Sequence, residues 1–371
     1  MNLSTSVSEL LTQLQPISQV ASTRAVNQVL SGVQIAASQS GTELRATDTD
    51  LSLRVPLVAD VVREGTVVLP ARLLLDVVRS LPKSADRVTL ELRPEQQDVE
   101  VTAGAAVFHL RTLRADDFPT LPEPGGDTVA ELPAGPFLDT IAMVSKSASR
   151  DETRPVLTGI LVSVNGDELR MVSTDSYRLS IKDTKLGAAV PEGFEANIPA
   201  RALDELKALS SGDESELVRV GVRANQVVFS IGEAVLSSRL IDGQFPNFQQ
   251  LLPDSFEHQL RISGDELREV VRRISLLAQK NAPLRLSFTE GQLTVSAQTP
   301  DIGEASEPLP VPFSGEPMDI GFNPDFLRDG LDAIGDGDLI LNLLSPLRPG
   351  LISTADGSGF QYLIMPIRLS V

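Results

Sequence analysis

Three stretches of this chain are variants of one another: PARLLLDVVRSLP from Pro70, PARALDELKALSS from Pro199 and NPDFLRDGLDAIG from Asn323. Their prolines, Pro70, Pro199 and Pro324, lie about 125 to 130 residues apart. Proline in a first helical turn, followed by apolar residues at three- and four-residue spacing, predicts an amphipathic helix in each. Other landmarks keep the same period. ELRATDTDLSLRV from Glu43 returns as ELRMVSTDSYRLSI from Glu168, and AVFHLRTLRADDFPTLP from Ala106 returns as AVLSSRLIDGQFPNFQQLLP from Ala234. Near the end, GFQYLIMPIRL takes the corresponding place in a third copy. Such a period is too long for the common solenoid repeats. Three copies in 371 residues predict compact domains over residues 1–123, 127–253 and 257–371, with boundaries in the LPEPGGD stretch at 121–127 and the LLPDSFEHQ stretch at 251–259. Repetition can serve as scaffold alone, so the period fixes architecture before it fixes purpose.

Each copy reads as two similar halves, a helix followed by short alternating strands such as VTLELRP, DVEVTAG and AVFHLRTL. Turns such as VNGDE and TEGQ separate strands of this kind. The expected class is α+β, with two helices on antiparallel sheets in every domain.

Hydrophobic residues make up 42% of the chain, enough for several buried cores, and Gly and Pro are scattered as turn punctuation. Cysteine is absent, which removes disulfides, thiolate metal sites and cysteine nucleophiles. The first residues lack a basic segment leading into an apolar one, and no apolar stretch approaches the roughly 20 residues needed to span a bilayer. A soluble, cytoplasmic protein that does not engage membranes is expected. The formal net charge is −18. On its own that argues against a phosphate-binding surface, although the sum does not say where the charges sit.

An enzyme is not expected, nor a cofactor or metal. The two histidines, His109 and His258, stand in no metal or triad pattern, and the phosphate-loop, dinucleotide and nucleophile-elbow motifs are missing. Asp48 and Asp50 in ATDTD could serve as paired acids or magnesium ligands, but the recurrence of the motif as STD at Asp175 predicts a structural turn.

Four segments carry a resemblance to a known family: RPVLTGILV (154–162), ELRMVSTDSYRLS (168–180), DGQFPNFQQLLP (242–253) and YLIMPIRL (362–369). In this order, on a threefold repeat, they resemble the beta sliding clamp of bacterial DNA polymerase III over essentially the whole chain. The resemblance implies three clamp domains per chain and a head-to-tail homodimer closed into a ring, since such contacts close when the rotation per unit permits. It implies a processivity factor whose partners are double-stranded DNA, held without regard to sequence, the replicative polymerase, the clamp loader, and repair polymerases and mismatch-repair proteins. A peptide-binding repeat scaffold that never meets DNA is the alternative, and a stable monomer would favour it.

A clamp needs basic residues on the helix faces turned from the sheets. In DELREVVRRISLLAQ the residues Leu267, Val270, Val271, Ile274, Leu277 and Ala278 share helical spacing, while Arg268, Arg272 and Arg273 lie elsewhere. Arg72, Arg79 and Lys83 avoid the apolar stripe of the first repeat, and Arg201 and Lys207 occupy comparable places in the second. The resemblance adds Arg24, Lys146 and Arg150 in loops entering the hole, with Pro155 and Val156 where an aromatic pair can stand. It also implies a groove for partner segments of the glutamine–leucine–x–leucine–phenylalanine kind. The matching positions are Leu157, Thr174, Ser176, Tyr177, Arg178 and Leu179; Pro246, Gln250 and Leu251; and Asn323, Phe326, Leu347, Leu363, Ile364, Met365, Pro366, Ile367, Arg368 and Leu369. Ser176 and Tyr177 stand where Gly and His are common, and Asn281 where some members have an aromatic. For the subunit contact, Phe108 and Leu110 on an edge-type strand are expected to meet Ser275 and Leu276, with Asp301, Glu304 and Glu307 available to pair with basic residues.

Overall fold

The computed structural model describes residues 1–22, 27–121, 130–223, 225–278, 282–300 and 302–369. Arg24, Asn281 and Asp301 lie outside them, as does most of the expected boundary after Leu121.

The first third of the chain runs β1 (Asn2–Ser6), α1 (Val7–Val20), β2 (Gly32–Ser38), β3 (Gly41–Thr47), β4 (Leu51–Leu57), β5 (Asp60–Arg63), β6 (Gly65–Pro70), α2 (Ala71–Ser80), β7 (Arg87–Arg93), β8 (Asp98–Ala103) and β9 (Ala106–Arg111). The second runs β10 (Ala130–Pro133), α3 (Ala134–Val144), β11 (Gly159–Thr174), β12 (Arg178–Pro199), α4 (Ala200–Leu206), β13 (Leu217–Arg223), β14 (Gln226–Ile231) and β15 (Ala234–Arg239). The last runs β16 (His258–Ser263), α5 (Gly264–Ile274), β17 (Leu284–Thr289), β18 (Gln292–Thr299), β19 (Gly303–Pro310), β20 (Met318–Phe322), α6 (Pro324–Ile334), β21 (Asp338–Leu343), β22 (Gly350–Thr354) and β23 (Phe360–Ile364).

By packing, the chain divides into two compact units, residues 1–135 with 201–240 and residues 136–200 with 241–371. The middle repeat is shared between them because its strands complete its neighbours' sheets. In the first unit an eight-stranded sheet runs β10-β13-β14-β15-β4-β3-β2-β6, joined at β15 and β4, beside a five-stranded sheet β5-β1-β7-β8-β9. In the second, a six-stranded sheet β11-β12-β23-β22-β21-β16 is joined at β12 and β23, beside a four-stranded sheet β19-β18-β17-β20. Adjacent strands pair antiparallel at both junctions, so backbone hydrogen bonds link the repeats continuously.

The helices follow from sequence as well as packing. Ser263 caps α5, its hydroxyl accepting from Glu266 N at 3.3 Å, and Leu267, Val270, Val271 and Ile274 are buried one to two turns apart. Each such side chain stabilises by about 1.5–3 kcal/mol when removed from water. Asn323 caps α6 by accepting from Asp325 N (2.9 Å) and Phe326 N (3.1 Å), with Pro324 in the first turn.

Several sequence expectations are corrected. Pro70 is the residue before α2 rather than part of its first turn, and Pro199 closes β12. Helix α5 stops at Ile274; Ser275–Leu277 form a 3-10 turn, and Leu277 and Ala278 are only half-buried. VNGDE is not a turn between strands. It lies inside β11, where Gly166 at φ 59 and two register shifts against β12 absorb it as a bulge. Pairing with a 22-residue partner strand overrides the local Asn-Gly signal. TEGQ does turn, between β17 and β18. No helix among the described residues is long and apolar enough to cross a membrane.

Candidate functional site

The site begins with a turn that the sequence repeats. Between β11 and β12, Thr174 Oγ1 donates to Arg178 O (2.6 Å) and accepts from Ser176 N (3.1 Å). Asp175 Oδ1 accepts from Tyr177 N (2.9 Å) and Arg178 N (3.0 Å). The same four bonds recur around Thr47 and Asp48 between β3 and β4. In both copies the middle residue, Thr49 or Ser176, is left-handed, at φ 87 and φ 79. For a non-glycine residue that costs roughly 1–2 kcal/mol, which the shared hydrogen bonds offset. Asp48 and Asp175 therefore serve the backbone, as the recurrence predicts. Among the described residues no group of three or more His, Cys, Asp or Glu could hold a metal ion.

Beside the second turn lies a cavity of about 560 Å³. Leu179 and Leu363, paired across β12 and β23, form its floor and pack with Val172 and Ile181. One wall is the segment Gln250–Ser255, and the other is the β21–β22 connection with Leu344, Leu347, Arg348 and Pro349. Thr174, Ser176, Arg178 and Met365 close the end. Leu347 (64% exposed), Leu251 (47%) and Met365 (41%) leave apolar surface open around it. The floor is fixed by a sheet ladder, while the rim consists of side chains free to adjust, which suits a short linear ligand.

Of the residues expected at a groove, Thr174, Ser176, Arg178, Leu179, Gln250, Leu251, Leu347, Leu363 and Met365 line this cavity. Ile364 does not. It alternates away from Leu363 into the core beneath α5 and α6. Leu157 is buried in a 3-10 turn, Asn323 is taken up by capping, and Pro246 is exposed on the approach to the Gln250 wall. β23 ends at Ile364, before Pro366; Ile367 then bonds back to Gly321 (N–O 2.8 Å), half-buried Leu369 follows, and Arg368 is exposed between them. The sequence reading missed Leu252, Pro253, Asp254, Ser255, Leu344, Arg348 and Pro349. The apolar pair Leu344 and Leu347 inside an otherwise loop-like LLSPLRPG was the available signal.

Tyr177 and Phe326 stand 6.5 Å apart at a second depression of about 600 Å³, also lined by Arg150, Arg154, Arg178 and Arg328 and by four aspartates. Arg178 joins the two depressions. Its Nε donates to Asp175 Oδ2 (3.0 Å), its Nη1 to Asp329 Oδ2 (2.6 Å), its Nη2 to Lys146 O, and its guanidinium lies 4.3 Å from the Phe326 ring centroid. Burial disfavours this charge, but Tyr362, Asp329 and Asp175 more than compensate and hold its pKa above the ordinary arginine value. Burial likewise raises the Tyr362 phenol, whose hydroxyl donates to Phe326 O at 2.7 Å.

The basic residues fall into two groups. Arg201 pairs with Asp48, Arg268 with Asp265 and Asp336, Arg272 with Glu269, Arg273 with Glu269 and Glu307, and Lys146 with Asp329 and Asp332. Arg72, Arg79, Lys83, Arg150 and Lys207 are exposed and make no ion pair among the described residues. Of the expected subunit-contact residues, Phe108 is half-buried and Leu110 is buried within its own unit, because even positions of β9 face inward. Val107 takes the outward face instead, at 51% exposure. Ser275 is half-buried, whereas Leu276 is the most exposed large apolar side chain among the described residues (82%). Glu304 is exposed on β19, and Glu307 is engaged by Arg273 at 2.7 and 3.0 Å.

Three family models match in order: the N-terminal domain of the DNA polymerase III beta subunit over residues 1–122, its central domain over 131–247 and its C-terminal domain over 249–368. The beta sliding clamp of Synechococcus elongatus is 34% identical over 97% of each chain, and that of Streptomyces coelicolor 33% identical over 92% of each. Among solved structures, the sliding clamp of Bacillus subtilis is similar with a TM-score of 0.88 at 28% identity, covering both chains completely. The clamp of Pseudomonas aeruginosa bound to griselimycin gives the same TM-score, identity and coverage. Taken with the threefold repeat and its shared sheets, these matches show that the chain belongs to the beta sliding clamp family, the beta subunits of DNA polymerase III.

Proposed function

We propose that this DNA sliding clamp works as a head-to-tail homodimeric ring around double-stranded DNA, in the cytoplasm, and tethers the replicative polymerase through the cavity between Gln250–Ser255 and the β21–β22 connection. Its task is processivity rather than catalysis. The clamp loader, repair polymerases and mismatch-repair proteins would use the same groove in turn. The cavity carries this reading: a rigid apolar floor with an exposed leucine and methionine rim and a few polar anchors takes one or two aliphatic or aromatic side chains. Methionine adapts to different partners, as a shared groove requires.

Sheet order supports the ring. β9 ends one sheet and β19 ends another, each with a single neighbour, and open sheet edges favour pairing with another chain. Arg111 faces outward on β9, and Glu304 on β19, so the edges offer opposite charges when one chain's β9 meets another's β19. Leu276 and Val107 supply apolar surface for such a contact. Arg72, Arg79, Lys83, Arg150 and Lys207 are the proposed first contacts to phosphate.

Fluorescence anisotropy with a labelled glutamine–leucine–x–leucine–phenylalanine peptide tests the groove. Saturable binding in the micromolar range is expected, and it should be lost in a Met365→Ala/Pro366→Ala double variant whose thermal melt is unchanged. Equal binding by parent and variant would remove the groove from this site. A solution mass near the monomer value of 39.8 kDa at all concentrations would count against the ring.

A further inference from the structure

We infer that Asp329 is a positioning residue of the partner groove and that Lys146 shares its carboxylate, so that DNA and partner peptide are coupled through one side chain. This rests on the groove and DNA assignments proposed above. Arg178 lines the groove and is 9% exposed, so its charge must be met by fixed acceptors. Asp329 Oδ2 meets it at 2.6 Å. The other oxygen, Oδ1, faces Lys146 Nζ at 3.4 Å, and Lys146 also reaches Asp332 Oδ2 at 3.5 Å. The two cations differ in freedom. Arg178 is enclosed by Asp175, Phe326 and the backbone carbonyl of Lys146, whereas the Lys146 side chain is half-exposed at the end of a flexible stem.

A phosphate can therefore take Lys146 and leave Arg178 in place. Asp329 then serves Arg178 alone, and the pair tightens because its carboxylate is no longer divided. Asp329 and Phe326 both belong to α6, and Arg178 ends the turn that presents Ser176 and Tyr177. A firmer Arg178–Asp329 bond thus holds α6 against that turn and sets the groove end in its binding geometry. Linkage is reciprocal: whatever DNA does for the peptide, the peptide does for DNA. Of the two ion pairs Lys146 gives up, only the partly exposed one to Asp329 bears on Arg178, which limits the effect to about two- to fivefold in affinity.

The test measures the peptide Kd of the full chain with and without a saturating short linear duplex at low ionic strength, with duplex binding followed in the same sample. The duplex should tighten the peptide by about two- to fivefold. Lys146→Ala should bind peptide that much more tightly without DNA and gain nothing further from it. Asp329→Asn should bind peptide more weakly and lose the DNA response, with Asp329→Glu restoring part of both. A structural defect alone would shift the melting curve without abolishing the response. If Asp329→Asn fails to fold, Lys146→Ala decides the matter. An unchanged Kd with bound duplex, or a Lys146→Ala protein with the parent's Kd, overturns the coupling while leaving the groove intact. Absence of peptide binding to the parent overturns the groove assignment as well, and so separates the two failures.

Discussion

Gly330 lies in the interior of α6, where alanine would ordinarily gain about 1 kcal/mol of helix propensity over glycine. Here a Cβ would stand 2.5 Å from both Cδ1 and Cε1 of Tyr362 and 3.0 Å from its Cγ. Carbon atoms rest about 3.5–4.0 Å apart, so the ring would have to retreat by about 1 Å. It has no room to do so. Tyr362 is 1% exposed, its strand is laddered to β12 on one side and β22 on the other, and its hydroxyl is bonded to Phe326 O. Overpacking of this kind costs about 1–3 kcal/mol, and breaking the hydroxyl bond would add about 1 kcal/mol. Gly330→Ala should therefore destabilise the protein by about 1–3 kcal/mol, the reverse of the propensity effect. The chain has two tyrosines and no tryptophan. In a Tyr177→Phe background, Tyr362 is the sole strong emitter, and urea unfolding can be followed through it. The urea midpoint should fall on adding Gly330→Ala. In a Tyr362→Leu background, followed by circular dichroism, the same substitution should raise it, because the obstructing ring atoms are gone. A raised midpoint with Tyr362 present would refute the steric argument.

Two further outcomes are expected. Burial raises the Glu205 carboxyl above its ordinary range, with Arg201 pulling it partly back and Asp204 adding to the rise. The stability tied to that proton is fully present below the unfolded-state value and is lost as pH rises through the folded-state value. Glu205→Gln should accordingly raise the thermal midpoint at neutral pH, with the gain shrinking in acid; a gain independent of pH would point away from the carboxyl. Asn323→Ala removes the acceptor for Asp325 N and Phe326 N and should cost about 1 kcal/mol in urea unfolding. Asn323→Asp should retain most of that stability, and equal midpoints for the alanine variant and its parent would show that water serves those donors as well.

Where local chemistry decides the outcome, the sequence could be read directly. The Leu267–Val270–Val271–Ile274 stripe of α5 is buried as its spacing requires. The Thr-Asp turn at Thr47 and Thr174 forms twice because its four hydrogen bonds lie within five residues. Where distant strands decide, local reading failed. VNGDE carries the dipeptide of a tight hairpin, yet β12 continues beyond it and keeps both arms in one ladder. Leu110 and Phe108 share an alternation that fits either an edge or a core, and only the packed sheet puts Leu110 inside. The cavity is the clearest case. Thr174, Gln250, Leu347 and Met365 are far apart in the chain, so no periodicity links them. Family resemblance named these four; it did not name Leu344 or Pro349, whose connection reads as an ordinary loop.

The ion pairs bear on how a chain of formal net charge −18 can accept a polyanion. Five of the basic residues expected to face DNA, Lys146, Arg201, Arg268, Arg272 and Arg273, already meet carboxylates of their own chain. A phosphate recruiting one of these must displace a carboxylate, and the exchange gains only the difference between two similar attractions, each worth up to about 1 kcal/mol at exposed sites. Arg72, Arg79, Lys83, Arg150 and Lys207 offer their charge without that opposition. Contacts to phosphate alone carry no sequence information and are nearly equivalent at every step along the duplex. If these residues meet DNA as proposed, a set of cations half of which are compensated in advance would attract it without holding it at one place. Stripping the paired carboxylates would raise affinity at the expense of movement. On this reading the acidity of the chain does not oppose its function: the carboxylates placed beside the arginines set how weakly a ring may grip and still slide.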